Sequence, residues 1–314
     1  LQVYEDSLGE LGFFGHDDFS LLTALHFALC YTQVGIPQRG LGISETIQNQ
    51  AQKNRNWPIL SCALATTGVI FLEIRQMKNA RTYFGKALEL ARRENIPMAD
   101  VMSGIGLADI ECLEGNYERA AEYFKSLWKL RKSSWYHTLN SSHVFEAGYM
   151  LHMQGASPVE LSPVIRFLYQ LQEGDVNPFM YSIIRKHQIL ILEKDASPRD
   201  KIVQLKKLES DVRKCGATLE LAKIRIAIAR LSLQVNEWES AEIYGRKAWE
   251  SLKTISKQVF PADLEHLVPQ EDLNREDRLF DLVIEMGEAL SNQAKIEQLL
   301  TYIITSILRL TGAE

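Results

Sequence analysis

Cysteine is scarce in this chain. Cys30, Cys62, Cys112 and Cys215 are the only four in 314 residues, far apart and without CxxC spacing. That excludes a disulfide scaffold and gives no sign of a zinc site or redox pair. Cys30, Cys62 and Cys112 fall within apolar helical runs and are expected as small core residues, with Cys215, beside Gly216, at a more exposed helix end. The expected compartment is the reducing cytoplasm. Long apolar runs are missing too: no stretch approaches the ~20 apolar residues of a membrane span. The opening Leu1-Gln2-Val3-Tyr4 has neither an initiator Met nor a signal-peptide layout, so the chain reads as a piece of a longer one. A basic excess is also lacking, with 35 Lys and Arg against 40 Asp and Glu and a net charge of −5. Direct nucleic-acid binding is therefore not expected. The richest basic run, Lys201 to Lys214, is diluted by Glu209 and Asp211 and reads as a solvated helix face.

The usual catalytic signatures are missing as well. The chain holds no GxxxxGK[ST], HExxH or GxSxG. Gly104-Ile105-Gly106 and Gly40-Leu41-Gly42 read as glycine pairs inside helical units and not as phosphate loops. His143 and His152 fall out of alignment on one expected helix and make poor co-ligands. Asp109 and Glu111, two residues apart on a helix, point to different faces. No enzymatic activity, metal or cofactor is expected.

What the chain does have is a repeat. Gly115-Asn116-Tyr117-Glu118-Arg119-Ala120-Ala121-Glu122-Tyr123-Phe124 places a helix-ending Gly or Asn, then an aromatic, a small residue and a second aromatic. Forty residues earlier lies Asn79-Ala80-Arg81-Thr82-Tyr83-Phe84, and later comes Asn236-Glu237-Trp238-Glu239-Ser240-Ala241-Glu242-Ile243-Tyr244. The packing position falls at Gly40, Ala80, Ala120, Glu160, Asp200 and Ala241, and the turn position at Gly35, Arg75, Gly115, Gly155, Asp195 and Asn236. Gly and Asn tolerate the left-handed conformation at a helix end. Pro37, Pro158 and Pro198 keep near-register, early in a helix where a missing N–H costs little.

The period predicts helix A over 21–34, 59–74, 98–114, 137–153, 178–194 and 217–235, and helix B over 37–53, 77–95, 117–133, 158–173, 198–214 and 238–257. Ile224, Ile228, Leu231 and Val235 mark one helical stripe, and no strand-type alternation survives inspection. Gly68, Ala80, Ala87, Ala108 and Ala120 are expected at close helix approaches, with Phe71, Phe84 and Phe124 filling between successive pairs. One pair cannot bury its apolar face alone, so the pairs must stack. The expected fold class is all-α: a right-handed superhelical α-solenoid of about six helix pairs over 1–257, with irregular packing where Glu160 and Asp200 replace the small residue.

The lettering of residues 20–257 resembles the tetratricopeptide repeat, in the longer variant of bacterial regulators of the maltose-activator type. It is strongest at 61–133 and 222–250 and weakest at 157–215. The resemblance implies that positions 2, 5, 9 and 12 of each helix A face a concave groove. These are Cys62, Ala65, Val69 and Leu72; Met102, Ile105, Asp109 and Cys112; Ser142, Phe145, Tyr149 and His152; Ser182, Arg185, Ile189 and Leu192; and Lys223, Ile226, Arg230 and Leu233. The candidate partner-binding residues are Asp109, Phe145, Tyr149, His152, Arg185, Lys223 and Arg230. Such a wall suits an amphipathic helix or an extended segment with acidic ends. The alternative is that these side chains only fill a tightly wound superhelix.

Past Val259 the pattern breaks. Phe260 to Asp272 carries two prolines and four acids, and 258–276 reads as an extended acidic linker. Leu279, Leu282, Val283, Met286 and Leu290, then Leu299, Leu300, Ile303, Ile304, Ile307 and Leu308, mark two amphipathic helices over 277–314. Asp277-Arg278-Leu279-Phe280-Asp281-Leu282 through Leu310-Thr311-Gly312-Ala313-Glu314 resembles the opening helices of a GAF domain. That implies a homodimer through 277–310 and an output module beyond; the other reading is a helix pair capping the solenoid. The resemblances together imply a non-catalytic interaction or sensory arm of a bacterial multidomain regulator, of the sigma-54-dependent activator or signalling-kinase architecture. The alternative is a free-standing assembly scaffold or chaperone adaptor.

Overall fold

A computed structural model describes residues 18–128, 150, 178–193 and 195–269 of the chain. Among these residues the structure is all helical, with no strand. The α-helices are α1 (Asp18–Gln33), α2 (Pro37–Lys53), α3 (Trp57–Glu73), α4 (Met77–Glu94), α5 (Pro97–Leu113), α6 (Tyr117–Trp128), α7 (Pro178–His187), α8 (Pro198–Cys215), α9 (Thr218–Gln234) and α10 (Trp238–Leu252). Each of α1 to α5 packs on the next helix in sequence, as does each of α7 to α9. The odd-numbered α3 also packs directly on α1 and on α5. No helix among the described residues is long and apolar enough to cross a membrane.

A left-handed residue closes helix after helix at a constant beat. Gly35, Arg55, Arg75, Asn95 and Gly115 have φ of 96°, 54°, 60°, 55° and 82°, and Gly216 and Asn236 have 70° and 60°. A bond from the next amide to a carbonyl five residues back recurs with them: Ile36 to Tyr31, Asn56 to Ala51, Gln76 to Phe71 and Asn116 to Glu111, each at 2.8 Å. This satisfies carbonyls that the helix end would otherwise orphan. Prolines mark the opposite ends, within the first two residues of α2, α3, α5 and α8.

The expected packing residues Gly40, Ala80, Ala120 and Ala241 are all buried. A Cβ on Gly40 would collide with the Ala28 carbonyl oxygen, so α2 approaches the α1 backbone as closely as glycine permits. Phe84 has no exposed surface and wedges between α3 and α5, where a Cβ on Gly68 would lie 2.7 Å from its ring and one on Gly106 closer still. Gly106 thus makes room for an aromatic ring. Phe71 stacks on Tyr83 at 5.4 Å. Asp200 is exposed because it serves a capping box: its carboxylate accepts from the Ser197 amide at 3.1 Å, and its amide donates to Ser197 Oγ at 3.2 Å. Just before it, α7 passes into a π-helical turn, Gln188–Leu192.

Three expectations need correction. Cys30 is exposed, whereas Cys62 and Cys112 are buried as expected. α10 ends at Leu252 and not at 257, as Lys253 and Ile255 turn the chain. The segment read as an extended linker folds, where described, into 3-10 turns at Lys257–Val259 and Ala262–Leu267. Its apolar residues are the reason: Val259 and Phe260 are buried, and Phe260 meets Trp249 edge-on at 5.4 Å. The chain divides into two compact units at Ala262/Asp263. The predicted helices over 137–153 (apart from the helical residue 150), 158–173 and 277–314, and Phe124's side chain, lie outside the described residues.

Candidate functional site

Within the larger unit, described helices from early and late in the chain meet. The last turn of α3 carries Glu73, whose carboxylate accepts from Lys223 Nζ of α9 at 2.8 Å across 150 residues of chain, and from Gln33 Nε2 of α1 at 3.1 Å. Side-chain exposure is 3% for Glu73 and 10% for Lys223, so water screens this pair little. Ser256 Oγ donates to the Ile74 carbonyl at 2.7 Å. Gly35 lies against Ile255, where a Cβ would come within 2.9 Å of its Cδ1. A row of pairs that only touched their neighbours would make none of these contacts.

Lys223 also lines a cavity of about 610 Å³. Its wall is built from the α3–α4 turn (Arg75, Met77), the α5–α6 turn (Leu113, Tyr117), α7 with the π turn (Lys186, His187, Leu190), α9 (Lys223, Ile226, Arg230, Gln234) and the segment Gln258, Val259 and Pro261; Met150 also lines it. The volume falls within the ~300–1,000 Å³ of small-molecule sites. Four cations and a histidine stand on this wall, and among the described lining residues there is no Asp or Glu. Lys223 has the Glu73 already named against it, and Lys186 the Glu220 of α9, at 2.7 Å with both side chains nearly inaccessible. His187 is 2% exposed. The π turn inserts one residue per turn, an irregularity often found beside functional sites.

The expected groove residues divide. Lys223, Ile226 and Arg230 line the cavity, and Arg230 is exposed to solvent. Asp109 has no exposed surface, so no partner reaches it. The same holds for the early wall: Cys62, Ala65, Val69, Leu72, Met102, Ile105 and Cys112 are at most 4% exposed. Direct contact of α1, α3 and α5 turns these positions into core. Arg185 is half-buried in a network with Gln188 at 3.3 Å, Glu193 at 2.8 Å and Gln204, away from the cavity. Phe145, Tyr149 and His152 lie outside the described residues. The sequence reading missed Arg75, Met77, Leu113, Tyr117, Lys186 and His187. Four of these lie at or beside the turns after α3 and α5, and Arg75 occupies the counted turn register itself. The turns line the cavity together with helix A, and that possibility was the signal available.

The buried thiols are unsuited to nucleophilic chemistry. Burial pushes the Cys62 thiol up to about 12, with its Ser61 hydrogen bond pulling slightly the other way. Burial raises Cys112 as well, reinforced by the charges of Asp109 and Glu111. No group of three or more His, Cys, Asp or Glu side chains suited to a metal occurs among the described residues. The cavity presents cations and apolar surface to whatever enters it. No protein-family model matches the chain, and no curated protein matches it.

Proposed function

We propose that this chain is a non-catalytic sensory arm of a bacterial multidomain regulator, a right-handed solenoid of tetratricopeptide-like pairs whose concave side receives an effector. One observation carries the reading: the Glu73–Lys223 contact joins α3 to α9, and Lys223 at the same time lines the cavity. An occupant bears on the joint where the ends of the helix row meet. Its binding would alter curvature, and a change of curvature at fixed pair geometry accumulates along a stack. The 277–310 helices, with their GAF-like lettering and a dimeric pairing, would pass the change to an output module in the cytoplasm. A protein or peptide partner enters only where the cavity opens, since the early apolar positions are core.

The test uses the full-length protein. Replacing Arg230 with Glu and, separately, Ile226 with Trp alters the charge and the space of the cavity, and output activity is then measured with and without cell extract as the effector source. Both variants should fix the output in one state. An output that still responds normally in both sinks the sensory reading and favours an assembly scaffold.

A further inference from the structure

We infer that the cavity takes a small organic anion with an apolar body, a carboxylate or phosphate ester and not a neutral ligand. This rests on the reading above that the cavity receives an effector, and adds its chemical class. The wall carries Arg75, Lys186, Lys223, Arg230 and His187, and no carboxylate among its described residues. Lys186 and His187 are 5% and 2% exposed, so an ion beside them interacts through a poorly screened medium. The carboxylates of Glu73 and Glu220 hold Lys223 and Lys186 in place without lining the cavity, which fixes the cationic groups before a ligand arrives. Opposite charge is thus supplied to an entering anion by preorganised donors, the most favourable kind of hydrogen bond in a protein. The remaining wall is oily: Met77, Leu113, Leu190, Ile226, Leu231 and Val259. A bare inorganic ion would leave that surface and most of the volume unfilled, while a neutral apolar molecule would make no charge-assisted hydrogen bond with the cationic groups. An amphipathic anion satisfies both.

The test titrates the 314-residue chain with 8-anilinonaphthalene-1-sulfonate, an apolar anion of suitable size, and with its neutral analogue N-phenyl-1-naphthylamine. The sulfonate should bind one per chain, and the neutral analogue on the order of tenfold more weakly, about one charge-assisted contact. Arg230→Gln and Arg75→Gln should each weaken the sulfonate on the order of tenfold. Arg199→Gln, which removes an exposed charge elsewhere, should leave it unchanged. Decanoate or decyl phosphate should displace the probe, the more effective one identifying the head group, and decanol should not. Circular dichroism melts exclude misfolded variants, and Arg230, being exposed, carries little folding risk. Equal binding of the neutral analogue, no loss in Arg230→Gln, or displacement by decanol as readily as by the acids overturns the proposal. Sulfonate binding beside an output indifferent to Arg230→Glu would sink the sensory reading and leave this site standing. The reverse pattern would leave a sensor for some other ligand.

Discussion

Phe84 shows what a single residue can demand of its neighbours. Its ring occupies a slot that exists only because Gly68 and Gly106 have no side chains. Gly106→Ala should therefore destabilise by about 1–3 kcal/mol through overpacking, and Phe84→Leu in that background should recover part of the loss in urea melts. Additive effects of the two changes would show that ring and glycine do not share the slot. Glu111 is the corresponding polar case. Burial pushes its carboxyl upward, but hydrogen bonds from Arg81 at 2.7 Å and Asn116 at 3.0 Å, with the charges of Arg81 and Arg119, win and hold it below the ordinary carboxylate range. A lowered native pKa means the stabilisation is complete above ~4.3 and fades as pH falls through the native value. Glu111→Gln should cost about 1.5–3 kcal/mol at pH 7, and the gap to the parent protein should narrow as melts are repeated below pH 4. A gap independent of pH would mean that packing, not charge, accounts for the loss. Gly106 was legible in the sequence only as one of a glycine pair; that it faces Phe84 from the preceding helix required coordinates.

Among the elements, α8 owes its start to chemistry written locally. Ser197 and Asp200 exchange bonds across the first turn, and Pro198 stands at the first helical position. Ser197→Ala should lower the unfolding free energy by about 1 kcal/mol and raise amide exchange across the first turn of α8 without changing exchange in α9. Equal exchange in both helices would show that the cap acts on the whole pair. The same locality explains why helix boundaries were readable. Gly35, Gly115 and Asn236 announce their left-handed turns by type, whereas Arg75 and Arg55 adopt the same conformation without announcing it. For arginine that conformation costs on the order of 1–2 kcal/mol, so the surrounding contacts impose it. The π turn after α7 was not legible, since 178–194 reads as one continuous helix.

At the scale of the whole molecule, the Glu73–Lys223 pair tests how the ends are joined. Lys223→Met strands a carboxylate that is 3% exposed and should cost about 3–5 kcal/mol. Adding Glu73→Leu removes the stranded charge and should restore most of the stability, with both variants measured by thermal melts. A double variant as unstable as the single one would mean that the ionic geometry itself, and not the avoidance of an unpaired charge, joins α3 to α9. Of the candidate site, Lys223 and Arg230 were readable from the repeat register and reach the cavity. Asp109 carried the same register but is fully buried on α5, which packs on α3.

The sequence by itself determined the helices and the beat of their turns, since these depend on residues a few positions apart: a left-handed turn, or a proline at a helix start. Only the tertiary structure decided where the row of helices meets itself and which side chains surround the resulting cavity. Glu73 and Lys223 stand 150 residues apart in the chain, and no local pattern records a contact over that separation.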